Sequence, residues 1–214
     1  PADREALGDA VSAAAGKTTL VTVETDMTAW GAAASITMDH QALGAALGAA
    51  ALNGVPEGGT VLLLDSLPGD NGIRERMEAA KAVLEREGRQ ARVYKWDPDT
   101  TSLPDILRIE RPRAIIAFEA AALADVAELS RGEDTFPLLY GCGSTSGIAA
   151  ALEKGRVTAI TAVNVFSAGY LAVEAAAALA RHEDWTAAAP VAFSIVRQET
   201  MYDSDNQKLL FPVT

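Results

Sequence analysis

The residues best able to do chemistry in this sequence lie between Tyr140 and Gly147, in the stretch YGCGSTSG. This stretch holds the single cysteine, Cys142, together with three glycines and three small hydroxyl residues. It follows an apolar run and precedes an alanine-rich one. Such a loop suits a nucleophile on a strand-to-helix turn, a cradle for phosphate, or the lip of another kind of pocket.

A nucleophilic Cys142 would need a base and a group that orients the base. The chain has two histidines, His40 after Asp39 at a predicted strand-to-helix junction and His182 at the end of an alanine-rich helix. Neither forms a family signature with the cysteine. The default for Cys142 is a small, buried, inert thiol. An α/β enzyme that uses Cys142 remains an alternative. It would be excluded if a Cys142→Ser variant kept the function of the protein.

The sequence also lacks the patterns of a metal, phosphate or nucleotide site. It contains no HxH, HExxH or CxxC spacing that would gather metal ligands. The glycine-rich loop is not followed by the lysine of a P-loop, and it does not have the GxGxxG spacing with a ribose-binding acid further on. We therefore predict no catalytic residue, no metal and no cofactor.

Composition bounds the class of protein. The 214 residues are 49% hydrophobic and 22% charged, which is enough apolar material for a sizeable core. The net charge of -11 argues against nucleic acid as a partner. One cysteine excludes an intrachain disulfide and leaves the redox compartment unassigned. The apolar stretch Ala172–Ala180 is too short to span a membrane. The chain opens on a helix pattern without a signal peptide or initiator Met, which suggests a processed, truncated or excised piece.

Two kinds of segment alternate along the chain. Short apolar runs predict strands, and they are Leu20–Val23, Val61–Leu64, Ala91–Tyr94, Ala114–Phe118, Pro137–Tyr140, Val157–Val163 and Val191–Val196. Amphipathic stretches predict helices, and they are Asp3–Ala15, Gln41–Leu52, Ile73–Glu87, Leu103–Glu110, Ala121–Leu129, Gly147–Lys154 and Ala168–Arg181. Alternation of this kind predicts an α/β protein with parallel sheets flanked by helices.

Polar residues follow the predicted strands. In an open α/β sheet, ligands bind beyond the carboxyl ends of the strands. The residues there are Glu24, Thr25, Asp26, Asp65, Ser66, Trp96, Asp97, Glu119, Gly141–Ser146 and Asn164. Each of them has an ordinary surface or capping explanation when taken singly. Together they suit hydrogen bonding and stacking on a small polar molecule.

Three longer stretches resemble the type I periplasmic binding proteins, in the ribose- and galactose-binding branch related to the effector domains of LacI-type repressors. They are PADREALGDAVSAAAGKTTLVTVETD, DSLPGDNGIRERMEAAKAVLEREG and GCGSTSGIAAALEKGRVTAITAVNVFSAGYLAVEAA. The apolar strands between them come in the family's order. The resemblance covers essentially the whole chain.

The resemblance implies a fold of two similar α/β lobes with three hinge crossings and the ligand trapped between them. It assigns 1–37 plus 164–191 to the N-terminal lobe and 38–163 plus 192–214 to the C-terminal lobe. The family's first lobe normally opens with about two and a half further βα units, so the first lobe is expected to be incomplete here. We expect the missing N-terminal segment to be present as another piece, or a partner surface to cover the exposed region.

The same resemblance implies ligand contacts at seven positions, which are Glu24, Thr25, Arg76, Trp96, Glu119, Gly143 and Asn164. Arg76 would fork to paired hydroxyls or a carboxylate, Trp96 would pack on a sugar face, and Asn164 would lie at the hinge. Sugar binders carry an acid where this chain has Gly143. That departure makes an ordinary pentose or hexose doubtful as the ligand.

The function that this implies is an extracytoplasmic solute-binding protein that is not an enzyme. It would capture a small polar ligand, such as a sugar or sugar-like molecule, and deliver it to the membrane permease of an ABC importer or to a receptor. The location would be the periplasm or, for a lipoprotein, the cell surface. The alternative is a ligand-sensing effector domain of a transcription regulator or a sensor kinase.

Overall fold

The computed structural model describes residues 3–100, 102–133, 135–186 and 189–211. The helices, in chain order, are α1 Arg4–Ala15, α2 His40–Leu52, α3 Asn71–Arg86, α4 Leu103–Glu110, α5 Ala120–Leu129, α6 Ser146–Glu153, α7 Val165–Ala180 and α8 Ser204–Leu210. The strands are β1 Val21–Glu24, β2 Ala34–Thr37, β3 Thr60–Asp65, β4 Gln90–Lys95, β5 Ala114–Ala117, β6 Leu138–Cys142, β7 Ala159–Val163 and β8 Phe193–Arg197. Within the described residues, no helix is both long and apolar enough to cross a membrane.

Contacts along the chain divide it into two units, each with its own sheet. Unit 1 comprises Pro1–Asp39, Gly69–Gly72 and Asn164–Ala192. Unit 2 comprises His40–Pro68, Ile73–Val163 and Phe193–Thr214.

Unit 1 is built around the parallel pair β1–β2, whose register runs from Val21↔Ala34 to Glu24↔Thr37. Helix α7 packs on both strands. Helix α1 begins at Arg4, one residue after the predicted start, because the Asp3 side chain is the N-cap and accepts hydrogen bonds from the backbone N–H groups of Glu5 and Ala6. The first two residues of the quoted PADREAL stretch lie outside the described residues.

Unit 2 contains a six-stranded sheet in the order β4-β3-β5-β6-β7-β8. Every neighbouring pair is parallel except β7–β8. The chain adds β4 on one side of β3 and then crosses to add β5 on the other side. The order therefore reverses between β3 and β5, and ligands of open α/β sheets bind in the crevice at such a point.

The two faces of this sheet bury separate apolar layers. One face packs against α4, α5, α6 and α8, and the other packs against α2 and α3. Residues alternate between the faces along each strand, so that Leu62 and Leu64 belong to the first layer while Val61 and Leu63 belong to the second. All four are fully buried, which explains why the sequence shows a continuous apolar run.

The structure confirms the predicted order of strands and helices and adds four elements. Strand β2, the 3₁₀ helices at Thr28–Trp30 and Gln198–Thr200, and helix α8 were not predicted from the sequence. Helix α7 begins at Val165, three residues before the predicted start at Ala168, because the Asn164 side chain caps it by accepting the backbone N–H of Ser167.

Candidate functional site

The candidate site lies at the carboxyl edge of the unit 2 sheet, around the switch point between β3 and β5. Helix α3 follows β3 and carries Arg76 in its second turn. Arg76 is 9% exposed. Its Nε donates to Nδ1 of His40 at 3.1 Å, and its Nη1 donates to the carbonyl oxygen of Phe118 at 3.0 Å, directly after β5. A buried guanidinium requires such partners, and these two hold it at the position where this fold binds ligands.

Glu119 follows Phe118 and caps helix α5. Its two carboxylate oxygens accept the backbone N–H groups of Ala121 at 2.8 Å and Ala122 at 3.1 Å. The carboxylate is thereby fixed in place with each oxygen keeping a further lone pair. The predicted site residues Arg76 and Glu119 thus lie on segments that meet at the same edge of the sheet.

Trp96 follows β4 and is only 4% exposed. Its backbone N–H donates to the carbonyl of Asp65 at 2.8 Å, and its ring packs in the same apolar layer as Leu64 and Leu103. In this structure a sugar would reach the ring only if the residues above it moved. The predicted stacking role of Trp96 therefore stays a prediction.

Two polar atoms at this edge are buried without a hydrogen-bond partner among the described residues. They are Nε1 of Trp96 and Oγ of Ser66. The two residues follow directly after the paired positions Asp65 and Lys95 of β3 and β4. Alternation along the strands directs both side chains to the same face of the sheet.

Gly143 occupies backbone space that an acidic residue does not fit. Its φ is 125°, in the region that favours glycine. Its N–H donates to the carbonyl of Thr161 at 3.1 Å. A β-carbon there would lie 2.8 Å from Cβ of Ala120 and 3.1 Å from Cδ1 of Ile148. The departure from sugar binders at this position therefore has a structural counterpart, because an acid would need a different loop.

The hydroxyl residues of the same loop begin helix α6. The side chain of Thr145 is the N-cap and accepts the backbone N–H of Ile148 at 3.3 Å. Cys142, the last residue of β6, is buried, and its Sγ accepts a hydrogen bond from Oγ1 of Thr161 at 3.2 Å. Among the described residues, no group of three His, Cys, Asp or Glu side chains is placed to hold a metal ion.

The other predicted contacts belong to unit 1. Glu24 ends β1 with φ at 75°, an uncommon conformation for a residue other than glycine. The carbonyl of Thr25 accepts the hydroxyl of Thr22 at 3.1 Å. Asn164 caps α7, and its backbone N–H donates to the carbonyl of Ala192 at 3.4 Å. Their roles as ligand contacts stay predictions.

His40 was not among the predicted site residues. Its place at a strand-to-helix junction suggested that it could line a pocket, without a metal-binding pattern. In the structure it is the first residue of α2 and is 8% exposed, and its imidazole accepts a hydrogen bond from Arg76. The two residues are 36 positions apart, so no local motif connects them.

The sequence matches the profile of the periplasmic binding protein domain over residues 1–184, and the chain belongs to this family. No curated protein sequence matches the chain.

Solved structures agree with this assignment. A carbohydrate transporter solute-binding protein from Agrobacterium radiobacter, in complex with D-arabinose, superposes with a TM-score of 0.87 at 18% identity, over 96% of this chain and 75% of that chain. An ABC transporter solute-binding protein from Agrobacterium vitis bound with α-D-tagatopyranose gives 0.86 at 13% identity, over 97% and 76%. Another from the same species with bound D-fucose gives 0.85 at 15%, over 96% and 76%. The chain thus has the type I periplasmic-binding-protein fold.

Proposed function

We propose that this protein is an extracytoplasmic solute-binding protein that captures a small polar ligand, a sugar or a sugar-like molecule, for an ATP-driven importer. Family membership and the sugar-bound structures of the same fold support the class of protein. The single observation that carries the ligand chemistry is Arg76, a buried guanidinium at the switch point of the unit 2 sheet. No step of this function makes or breaks a covalent bond.

The geometry of Arg76 suits a polyhydroxylated ligand. A guanidinium presents five N–H donors in a planar fork that matches adjacent hydroxyls or a carboxylate. Two bonds, to His40 and Phe118, set the plane of that fork before any ligand arrives. Glu119, fixed by its two backbone bonds, supplies an acceptor for hydroxyl hydrogens. A pre-set donor and a pre-set acceptor at the same edge of the sheet suit the hydroxyl groups of a sugar.

Gly143 and the loop after it separate this site from one built for an ordinary pentose or hexose. The loop offers backbone N–H groups and small hydroxyls in place of a fixed anion. It therefore favours ligands with more acceptor groups, such as oxidised or otherwise modified sugars.

The resemblance implies two lobes and further ligand contacts. The N-terminal lobe would comprise 1–37 plus 164–191, all of which belong to unit 1, and the C-terminal lobe would comprise 38–163 plus 192–214, which contain all of unit 2. Glu24, Thr25 and Asn164 would contribute further ligand contacts, and Trp96 would join them on repacking. Ligand binding would shift the protein between open and closed populations.

The membrane partner would be a permease. A receptor is the alternative, in which the same binding step would report the ligand instead of delivering it. Deletion of the gene distinguishes the importer role from the sensing role. Loss of uptake of the labelled ligand supports the importer, whereas intact uptake with a lost transcriptional response supports the sensing role.

The binding claim is tested by calorimetry and thermal unfolding with sugar acids such as D-galacturonate and with D-arabinose, D-fucose and D-tagatose, followed by polyols, nucleosides and amino acids. Replacing Arg76 by Lys keeps the charge and removes the planar fork. We expect Arg76→Lys to weaken binding by about tenfold or more, as the loss of a charge-assisted hydrogen bond would. Arg74→Lys is the matched control, since Arg74 is exposed on the same helix. If no compound releases heat or raises the melting temperature, the proposed function is wrong.

A further inference from the structure

The contact between His40 and Arg76 fixes the protonation of the imidazole. The Nε of an arginine is always a donor, so Nδ1 of His40 must accept through its lone pair. The imidazole is then neutral, with its proton on Nε2. Both side chains are buried, His40 at 8% exposure and Arg76 at 9%, so water does not readily replace either partner.

The helices that carry the pair are in backbone contact. One turn after His40, a β-carbon at Gly44 would lie 1.9 Å from the carbonyl oxygen of Arg76. One turn further, a β-carbon at Gly48 would lie 2.8 Å from the carbonyl oxygen of Ala80. The absence of side chains at these glycines brings α2 directly onto α3. The distance between His40 and Arg76 is therefore set by the packing of the backbone and does not depend on two mobile side chains finding each other.

The guanidinium is held from two directions. His40, on α2, binds Nε, and the carbonyl of Phe118, after β5, binds Nη1. One hydrogen bond would leave the plane free to rotate about that bond, whereas two bonds from different segments determine it. Removing the bond to Nε would take away one of the two bonds that fix the plane of the fork.

From this geometry we propose that His40 is a positioning residue, which sets the plane of the Arg76 fork and does so only while its Nδ1 is unprotonated. The inference rests on the proposed function in one respect, namely that Arg76 contacts the ligand. Protonation of Nδ1 would remove the acceptor and place an imidazolium against a guanidinium. Ligand affinity would then fall in acid.

Other charges lie along the segments that meet at this pair. They are Asp39 before His40, Arg74 and Glu75 before Arg76, and Glu119 after Phe118. The carboxylate of Glu119 is engaged by the N–H groups of Ala121 and Ala122. Protonation of Nδ1 uses the lone pair that accepts the Nε–H of Arg76, so the direction of the effect does not depend on these charges.

Two substitutions at position 40 distinguish the loss of the hydrogen-bond acceptor from a change in side-chain size. In His40→Asn, Oδ1 stands two bonds from Cβ, as Nδ1 does in histidine, and it accepts without being able to take a proton near neutrality. In His40→Leu the site keeps an apolar side chain of similar reach and loses the acceptor. The other histidine, exposed at His182, provides the control His182→Asn.

The first measurement uses the ligand-free protein. The Arg76 Nε–H resonance in ¹⁵N-labelled protein should be protected from exchange in the wild type and in His40→Asn, and unprotected in His40→Leu. Between about pH 8 and pH 5, where an ordinary histidine gains its charge, protection should fall in the wild type and persist in His40→Asn. Equal protection in all three proteins at both pH values would overturn the inference.

The second measurement is the Kd for D-galacturonate, D-arabinose, D-fucose and D-tagatose. We expect about tenfold weaker binding for His40→Leu at neutral pH, and near wild-type binding for His40→Asn and His182→Asn. In acid, only the proteins that keep His40 should lose affinity. If the wild type binds a sugar and His40→Leu binds it equally well, the inference is wrong and the proposed function stands. If the wild type binds none of the compounds tested, the proposed function is wrong, and the resonance of Arg76 decides the role of His40.

Discussion

Gly44 lies so close to the carbonyl oxygen of Arg76 that a β-carbon at position 44 would come within 1.9 Å of it. Real β-carbons do not approach an oxygen to that distance, so any larger residue must push α2 and α3 apart. Arg76 lies on α3 and His40 on α2, so the spacing of the two helices sets the distance between these side chains. The glycines of α2 keep that spacing short.

We expect Gly44→Ala to destabilise unit 2 by about 1–3 kcal/mol, the usual cost of overpacking a filled interface. It should also weaken ligand binding, because α3 carries Arg76 with it when it moves. Chemical denaturation measures the first effect and calorimetry the second.

Gly147→Ala is the control for that substitution. Gly147 lies in α6, and a β-carbon there would meet no atom within 4 Å. Alanine should be neutral or stabilising by up to about 1 kcal/mol, since it is the better helix former. If Gly44→Ala matches Gly147→Ala in stability, the close approach of α2 and α3 is wrong.

Gly143→Ala tests why the loop after β6 carries no side chain at that position. Two costs should add, the strain of φ at 125° and the contact of the new β-carbon with Ala120 at 2.8 Å. Gly132 isolates the first cost, because its φ is 84° and a β-carbon there would have open space. We expect about 1–2 kcal/mol for Gly132→Ala and about 1–3 kcal/mol more for Gly143→Ala in the free energy of unfolding. Equal costs would show that the loop can move aside.

Much of the fold could be predicted because buried parallel strands read as unbroken apolar runs. Thr60–Asp65 and Ala114–Ala117 are such strands, and the structure confirms both. Strand β2 was not predicted because its four residues include serine and threonine and it pairs only with the short β1. Helix α8 was not predicted because its seven residues are mostly polar and only Leu210 among them is buried.

The site was harder to predict because its contacts join residues far apart in the chain. Arg76 was predicted as a ligand contact through the resemblance, and that role stays a prediction. The contact between His40 and Arg76 could not be predicted, since it depends on two helices meeting at glycines, which no pattern near His40 encodes. Trp96 was placed at the correct edge of the sheet, but its burial depends on which face it takes. In β4, polar and apolar residues occur on both faces, so the sequence of this strand does not distinguish them.

Ser66→Ala removes a hydroxyl that is buried without a partner among the described residues. Losing an unsatisfied polar group should leave stability unchanged or raise it by up to about 1 kcal/mol. Ser130→Ala is the opposite case, because the buried Ser130 hydroxyl donates to the carbonyl of Ala127 at 2.8 Å. We expect that variant to lose about 1 kcal/mol. Urea denaturation of both variants checks the contrast, and a clear loss in Ser66→Ala would show that its hydroxyl is satisfied in solution.

Tyr140 should make unit 2 sensitive to alkali. Its ring is 2% exposed, and burial raises the pKa of its phenol above the ordinary 10.0, with Arg197 opposing the shift weakly. The neutral phenol is therefore favoured in the folded protein, whereas the unfolded chain ionises at the ordinary pKa. The resulting stabilisation is complete below the unfolded pKa and is lost as pH rises through the higher folded pKa.

We expect Tyr140→Phe to unfold with a shallower dependence on pH between about pH 9 and 11, measured by denaturation at each pH. Tyr170→Phe, at an exposed position on α7, should leave that slope unchanged. Equal slopes in wild type and Tyr140→Phe would mean that the phenol reaches water, and that the layer between β6 and α2 is less closed than the structure shows.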